Sequence, residues 1–163
     1  MVSRSITLTL IAATAWVVAS CHGSGVTAGV RVGDPAPPSQ NRVGDWREVS
    51  TMDTKLDLYR WRIADLVKQG KPFLVVFGTP QHCTMCVDQL VRVAVMQEKY
   101  GDRFAFIHVD GYKDNAVWQE WGIKGEPWTY VVDRTGRVSK VFPGQTEIAL
   151  LENEVQRILK GAG

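Results

Sequence analysis

Cys83 and Cys86, in the stretch Cys83-Thr84-Met85-Cys86, stand three positions apart just after the apolar run Phe73–Phe77 and open a helical pattern. A helix start leaves backbone N–H groups unpaired and carries partial positive charge, so a sulfur placed there is more stable as thiolate than in a free cysteine. Thiolate is the species that attacks disulfides. Residues i and i+3 are neighbours on a helix, so Cys86 can reach the sulfur of Cys83 and close a small disulfide. The pair predicts a dithiol in which Cys83 attacks and Cys86 resolves, with no cofactor beyond the Cys83–Cys86 disulfide itself. Two other readings stand beside it. In one, the cysteines merely staple the helix start of a tethered binding module. In the other, Cys83 and Cys86 with His82 or His108 bind Cu(I), which favours soft thiolates, and the protein is a copper chaperone. A four-sulfur zinc site would need a second Cys-x-x-Cys or clustered histidines, and the chain has neither, so no metal is expected.

His82 adjoins Cys83. It either favours the thiolate by adding positive charge or is a solvated loop histidine. His108, inside an apolar run, reads as a satisfied core or strand-end residue, and Trp118, Trp121 and Trp128 as core or groove wall.

The elements that must hold these residues follow from periodicity. Residues 46–50 predict a short edge strand. Leu56, Tyr59, Ile63, Leu66 and Val67 recur at helical spacing until Gly70 and Pro72. Phe73–Phe77 predicts a strand covered on both faces. Val87, Leu90, Val91, Ala94 and Val95 predict one buried stripe on a helix that Gly101 ends. A strand over 104–109, a helix over Asn115–Trp121, and a hairpin joining Trp128–Val132 to 137–142 through Asp133-Arg134-Thr135-Gly136 come next. A last helix carries Ile148, Leu151, Val155, Ile158 and Leu159, with Thr146 as its cap. Alternating strands and helices predict an α/β domain with a largely parallel central sheet and an antiparallel edge.

The chain has 163 residues, 45% hydrophobic and 22% charged, which allows one globular domain plus a leader. A net charge of +2 gives no nucleic-acid footprint. Arg4 precedes an apolar stretch over 6–19, which predicts an export signal over 1–20; the stretch is short of the ~20 residues needed to span a bilayer. Val18-Ala19-Ser20-Cys21 resembles the lipobox of bacterial lipoproteins, whose cysteine is lipidated; the alternative is an ordinary signal with Cys21 as a free thiol. Residues 21–45 then predict a lipidated N-terminus and flexible tether, whose Gly-, Ser-, Val- and Pro-rich stretch over 23–40 has a reach of about 25 Å, followed by the domain over 46–163. Nothing favours a dimer.

The order of elements, with Cys-x-x-Cys after the strand and Gly125-Glu126-Pro127 before the hairpin, resembles the thioredoxin fold over roughly 46–159. The resemblance implies a central mixed sheet with helices on both faces, and a cis Pro127 lying against the cysteine pair, where the preceding residue's backbone can pair with an extended substrate. With the leader and tether, the chain is similar to membrane-tethered, TlpA-like thiol-disulfide oxidoreductases on the extracytoplasmic side of the cell envelope. That implies exported proteins with thiols or disulfides as substrates, a membrane redox partner, and reductase as the preferred direction. The chain departs from the thioredoxin pattern in two places. Thioredoxins commonly carry Trp-Cys-Gly-Pro-Cys, and their central strand holds a buried carboxylate that moves the resolving thiol's proton. Here Phe73–Phe77 is apolar throughout, so Glu126, beside Pro127, is the candidate substitute, its alternative being a charged loop residue turned to water.

Overall fold

Aliphatic and aromatic residues crowd the two innermost strands because helices cover both of their faces. The computed structural model describes residues 29–161. Strands β1 (Phe73–Phe77), β2 (Ala105–Val109), β3 (Trp128–Val132) and β4 (Val138–Pro143) form one sheet in the order β2-β1-β3-β4. Helices α1 (Trp46–Val49), α3 (Thr84–Tyr100) and α5 (Ile148–Leu159) pack on one face against Leu74, Val76, Phe106 and Val131. Helices α2 (Ile63–Gln69) and α4 (Asn115–Trp121) pack on the other against Phe73, Val75, Phe77, Ile107 and Tyr130. This is the mixed α/β architecture expected.

The sheet is less parallel than expected. β1 and β2 are parallel, with Phe77 opposite Val109. β3 runs antiparallel to both β1 and β4, with Trp128 opposite Phe77. The chain leaving α4 arrives at the C-terminal end of β1, so the next strand has to run back along it. At the β3–β4 turn, Asp133 Oδ1 accepts hydrogen bonds from the Thr135 and Arg137 amides, and Gly136 takes a φ of 76°.

The expected edge strand over 46–50 is instead α1, because the Asp45 side chain accepts from Arg47 N–H and starts a helical turn. The helix expected from Leu56 begins only at Ile63. Leu58 and Tyr59 belong to the core on the α3 face, whereas Ile63 and Leu66 belong to the core on the opposite face. The segment between them crosses the sheet edge, and a single straight helix cannot feed both cores. On α3 the buried stripe is Cys86, Leu90, Val93, Met96 and Tyr100, rotated from the one expected; Val91 and Val95 are half exposed. Thr146 does not cap α5. Glu147 holds the cap position without a side-chain bond, and the Thr146 amide donates to Gln89 Oε1.

The described part of the expected tether, residues 29–45, lies against the domain. Pro35 bridges to Arg137, Gly33 N–H donates to Val138 O, and Val138 N–H donates back to Asp34 O. Ala36, Ser39 and Asn41 are buried. Asn41 Oδ1 accepts from Ile63 N–H at 2.7 Å, and Ser39 Oγ accepts from the Trp121 indole at 3.0 Å. The reason is polar accounting: α2 has no cap residue of its own, and a buried indole N–H needs an acceptor. Cys21 and the expected leader lie outside the described residues, as does the rest of the tether.

Candidate active site

β1 delivers the chain to Gly78, and five residues later α3 begins at the sulfurs. Cys83 occupies the N-cap position of α3 with extended backbone angles, and its Sγ accepts from Cys86 N–H at 3.1 Å. A sulfur thus does what a Ser or Asp oxygen does at most helix starts. The pair is joined as a disulfide with Cα atoms 5.2 Å apart. Cys86 is fully buried, whereas Cys83 keeps 8% of its surface accessible, so Cys83 is the more open of the two. Gly78 lies under the pair. A Cβ there would stand 3.2 Å from Cys86 Sγ, so a side chain would press on the buried sulfur.

Glu126 arrives from the other side. It ends the loop before β3, its peptide bond to Pro127 is cis, and its carboxylate is largely buried. Glu126 Oε2 accepts from Thr79 N–H at 2.7 Å and Oε1 from His82 Nε2–H at 2.5 Å. A carboxylate oxygen of Glu126 and the two sulfurs all lie within 4.8 Å of one another. Folding therefore brings together Cys83, Cys86, Glu126 and His82, and holds Glu126 over the disulfide rather than turned to water. Pro127 follows directly, but its carbonyl accepts from Gly144 N–H at 2.7 Å and is engaged within the fold. The copper reading of the sequence paired the thiols with His82 or His108; the donor that lies with both sulfurs among the described residues is instead a carboxylate oxygen of Glu126.

Several contributors were not singled out in the sequence. Thr79 fixes the carboxylate through its amide. Tyr112, exposed, sets its ring 5.3 Å from that of His82 and borders the site. Asp110, buried, accepts from Thr51 N–H and Oγ–H and from Tyr112 N–H, while Thr51 Oγ1 accepts from Gln81 N–H. These bonds tie the loop before Cys83 to the loop after β2. Gly78-Thr79-Pro80, a turn signal placed between strand and thiols, was the one local clue.

His108 is buried on β2 opposite Val76. A carbonyl only accepts, so the 2.9 Å contact with Gly78 O places the proton on Nε2, and Nδ1 accepts from the Tyr59 hydroxyl at 3.1 Å. Burial holds the imidazole below its ordinary pKa, against the Gly78 bond and the Asp110 and Glu126 charges, which favour protonation. Burial also pushes the Tyr59 hydroxyl up to about 12, so it stays a donor. Trp121 is core, and Trp118, donating to Val109 O, packs edge-on to Phe77.

The sheet order, the helices on both faces and the oxidised Cys-x-x-Cys at the start of α3 define a thioredoxin fold. Solved structures with this shape include the thioredoxin NaTrxh of Nicotiana alata, with TM-score 0.52 and 21% identity over 59% of this chain and 80% of that one. The germline-specific thioredoxin Deadhead of Drosophila melanogaster has TM-score 0.50 and 17% identity over 58% of this chain and 86% of its own. Fasciola hepatica thioredoxin has TM-score 0.50 and 19% identity over 56% and 88%. The likeness is one of fold. No family model and no curated protein matches the chain by sequence.

Proposed function

We propose that the protein is a thiol-disulfide oxidoreductase acting on disulfides of partner proteins. The observation that carries this is the Cys83–Cys86 disulfide at the N-cap of a 17-residue helix, with Cys83 Sγ already accepting a helix N–H. In the reduced protein that N–H and the helix dipole favour a Cys83 thiolate. The thiolate attacks one sulfur of a substrate disulfide, a mixed disulfide forms, and the substrate's other sulfur leaves as a thiolate that takes a proton. Cys86 then loses its proton and attacks Cys83 Sγ. The mixed bond breaks, the substrate leaves with its second thiol, and two electrons have passed from the protein to the substrate.

Glu126 supports the second half of this sequence. Cys86 is sealed from solvent, β1 offers no carboxylate, and a Glu126 carboxylate oxygen lies within 4.8 Å of its sulfur. Glu126 takes the Cys86 proton, and half-exposed His82, bonded to Glu126, links it to water. An extended substrate docks beside the Glu126–Pro127 turn with Tyr112 and His82 at its edge.

The working form is a monomer exported across the membrane and held there by lipid on Cys21, with exported proteins as substrates, a membrane redox partner as electron source, and no nucleic acid. Reduction is the favoured direction. The leader's composition supports export, and no helix among the described residues is long and apolar enough to cross a membrane.

A Cys86→Ser variant cannot complete the second attack. Incubated with a disulfide-containing protein such as insulin, it will accumulate a mixed disulfide visible on non-reducing gels, and Cys83→Ser will not. No adduct with Cys86→Ser, or an equal one with Cys83→Ser, defeats the exchange reading. Redox titration reads direction: fold members span about 150 mV, equal to about 7 kcal/mol for two electrons, and a potential at the oxidising end would reverse it. Cys21→Ala should move the protein from the membrane to the soluble fraction; unchanged fractionation rules out the anchor.

A further inference from the structure

We infer that the reduced protein holds a zinc ion between Cys83, Cys86, Glu126 and His82, and that zinc occupancy withdraws the dithiol from exchange. This goes beyond the exchange reading and needs from it only that the pair exists as two thiols. Three donors cluster at one point of the fold, and a fourth adjoins them.

Two sulfurs at positions i and i+3 of a helix start form half of a tetrahedral site, and an amide already points at one of them: Cys86 N–H to Cys83 Sγ at 3.1 Å. Such an N–H stabilises a metal-bound thiolate as it does a free one. A carboxylate oxygen of Glu126 lies within 4.8 Å of both sulfurs. Zinc takes sulfur at about 2.3 Å and oxygen or nitrogen at about 2.0–2.2 Å, which sets its donors about 3.3–3.8 Å apart. Side-chain rotation of this size closes the set once the S–S bond is gone. The fourth donor is His82 Nε2, which stands 2.5 Å from Glu126 Oε1 but outside the cluster of mutually close donors, and reaches the ion by rotating inward from its half-exposed position.

Support around the donors matters as much as the donors. Glu126 Oε2 is fixed by Thr79 N–H at 2.7 Å, and Oε1 is held by His82. The His82 ring lies against Tyr112. His82 is about half exposed, so an ion can enter past it and the first water is lost on that side. The donor set also selects the ion. Two thiolates with one carboxylate and one imidazole suit zinc, a borderline cation with tetrahedral preference, whereas Cu(I) favours purely soft ligands.

The chemistry balances without further partners. A phosphine opens the Cys83–Cys86 bond by transferring two electrons and is itself oxidised with an oxygen atom from water, leaving two thiols. Zinc then displaces the thiol protons to solvent, and no electron moves. With both sulfurs bound to the ion, Cys83 has no free thiolate to attack a substrate.

The test uses phosphine-reduced protein freed of phosphine without oxygen, titrated with zinc against a chromophoric chelator, and separately with Co(II) as a spectroscopic substitute. One zinc per chain is expected, with none bound by the disulfide form. Cobalt should give sulfur-to-metal charge transfer and the intense visible bands of a tetrahedral site. Glu126→Gln and His82→Ala should each weaken zinc binding about tenfold or more. His82 is exposed enough that His82→Ala tests the idea even if Glu126→Gln misfolds. Zinc should also slow alkylation of Cys83, reversibly on adding chelator. Absence of zinc binding, one zinc per two chains, or affinity unchanged in the variants overturns the site. Because chemical reduction replaces any substrate, failure here leaves the Cys86→Ser adduct untouched, and failure of that adduct leaves this result standing.

Discussion

His108 lies one strand from the dithiol with Nε2–H on the Gly78 carbonyl and Nδ1 on the Tyr59 hydroxyl. Protonating it would place a second N–H against a hydroxyl that must then turn round, inside a site closed to water. That is why burial holds it neutral, below the ordinary value of 6.5. The sign follows from linkage. Below about pH 6.5 the unfolded chain binds a proton at this position that the folded chain refuses, so stability is full above that pH and is lost as pH falls towards the lowered folded value. Urea unfolding between pH 8 and pH 5 should show a declining midpoint on the acid side. In His108→Gln that part of the slope should flatten, although the variant starts lower by about 1–3 kcal/mol because Tyr59 and Gly78 lose a well-placed partner. An acid slope identical in both proteins would mean that other groups produce it.

Elements were legible where local chemistry and global packing agreed. Phe73–Phe77 and Trp128–Val132 were readable because five consecutive apolar or β-branched residues suit a strand covered on both faces, and Asn115–Trp121 because Gly122 ends it in a left-handed turn. The thiol pair, and the prominence of Glu126, were legible because each sits beside a strong punctuation mark, a helix start or a proline. What failed did so for identifiable reasons. Leu56, Tyr59, Ile63 and Leu66 keep helical spacing, yet their partners lie on opposite faces of the sheet, which no one-dimensional period reveals. On α3, Val91 and Val95 imitate a buried stripe, and the true one passes through Cys86 and Met96, whose burial depends on where the sheet lies. His82 meeting Glu126 spans 44 positions, and Asn41 capping α2 spans 22; contacts of that range leave no local trace.

For the molecule as a whole, the largest revision concerns where the folded unit begins. Pro and Gly content over 33–38 suggested a spacer, but there the chain completes the fold. Its backbone pairs with the start of β4, Ala36 fills the core on the α2 and α4 face, Asn41 caps α2, and Ser39 satisfies Trp121. Any tether is therefore shorter than the sequence implied, and a lipid on Cys21 would hold the sulfurs nearer the membrane. The consequence is measurable on truncated chains. A protein beginning at residue 29 keeps all of these contacts. A protein beginning at residue 46 leaves the Ile63 amide and the Trp121 indole without their partners, at about 1–3 kcal/mol each, and opens the apolar wall that Ala36 covered. Against a total stability of about 5–15 kcal/mol, the loss is large enough to lower the melting temperature by many degrees or to leave the chain unfolded. Circular dichroism melts of the two truncations, with Asn41→Ala in the longer one as an intermediate case, order the three proteins by stability. Equal melting of the chains starting at 29 and 46 would return residues 29–45 to the role of a passive spacer.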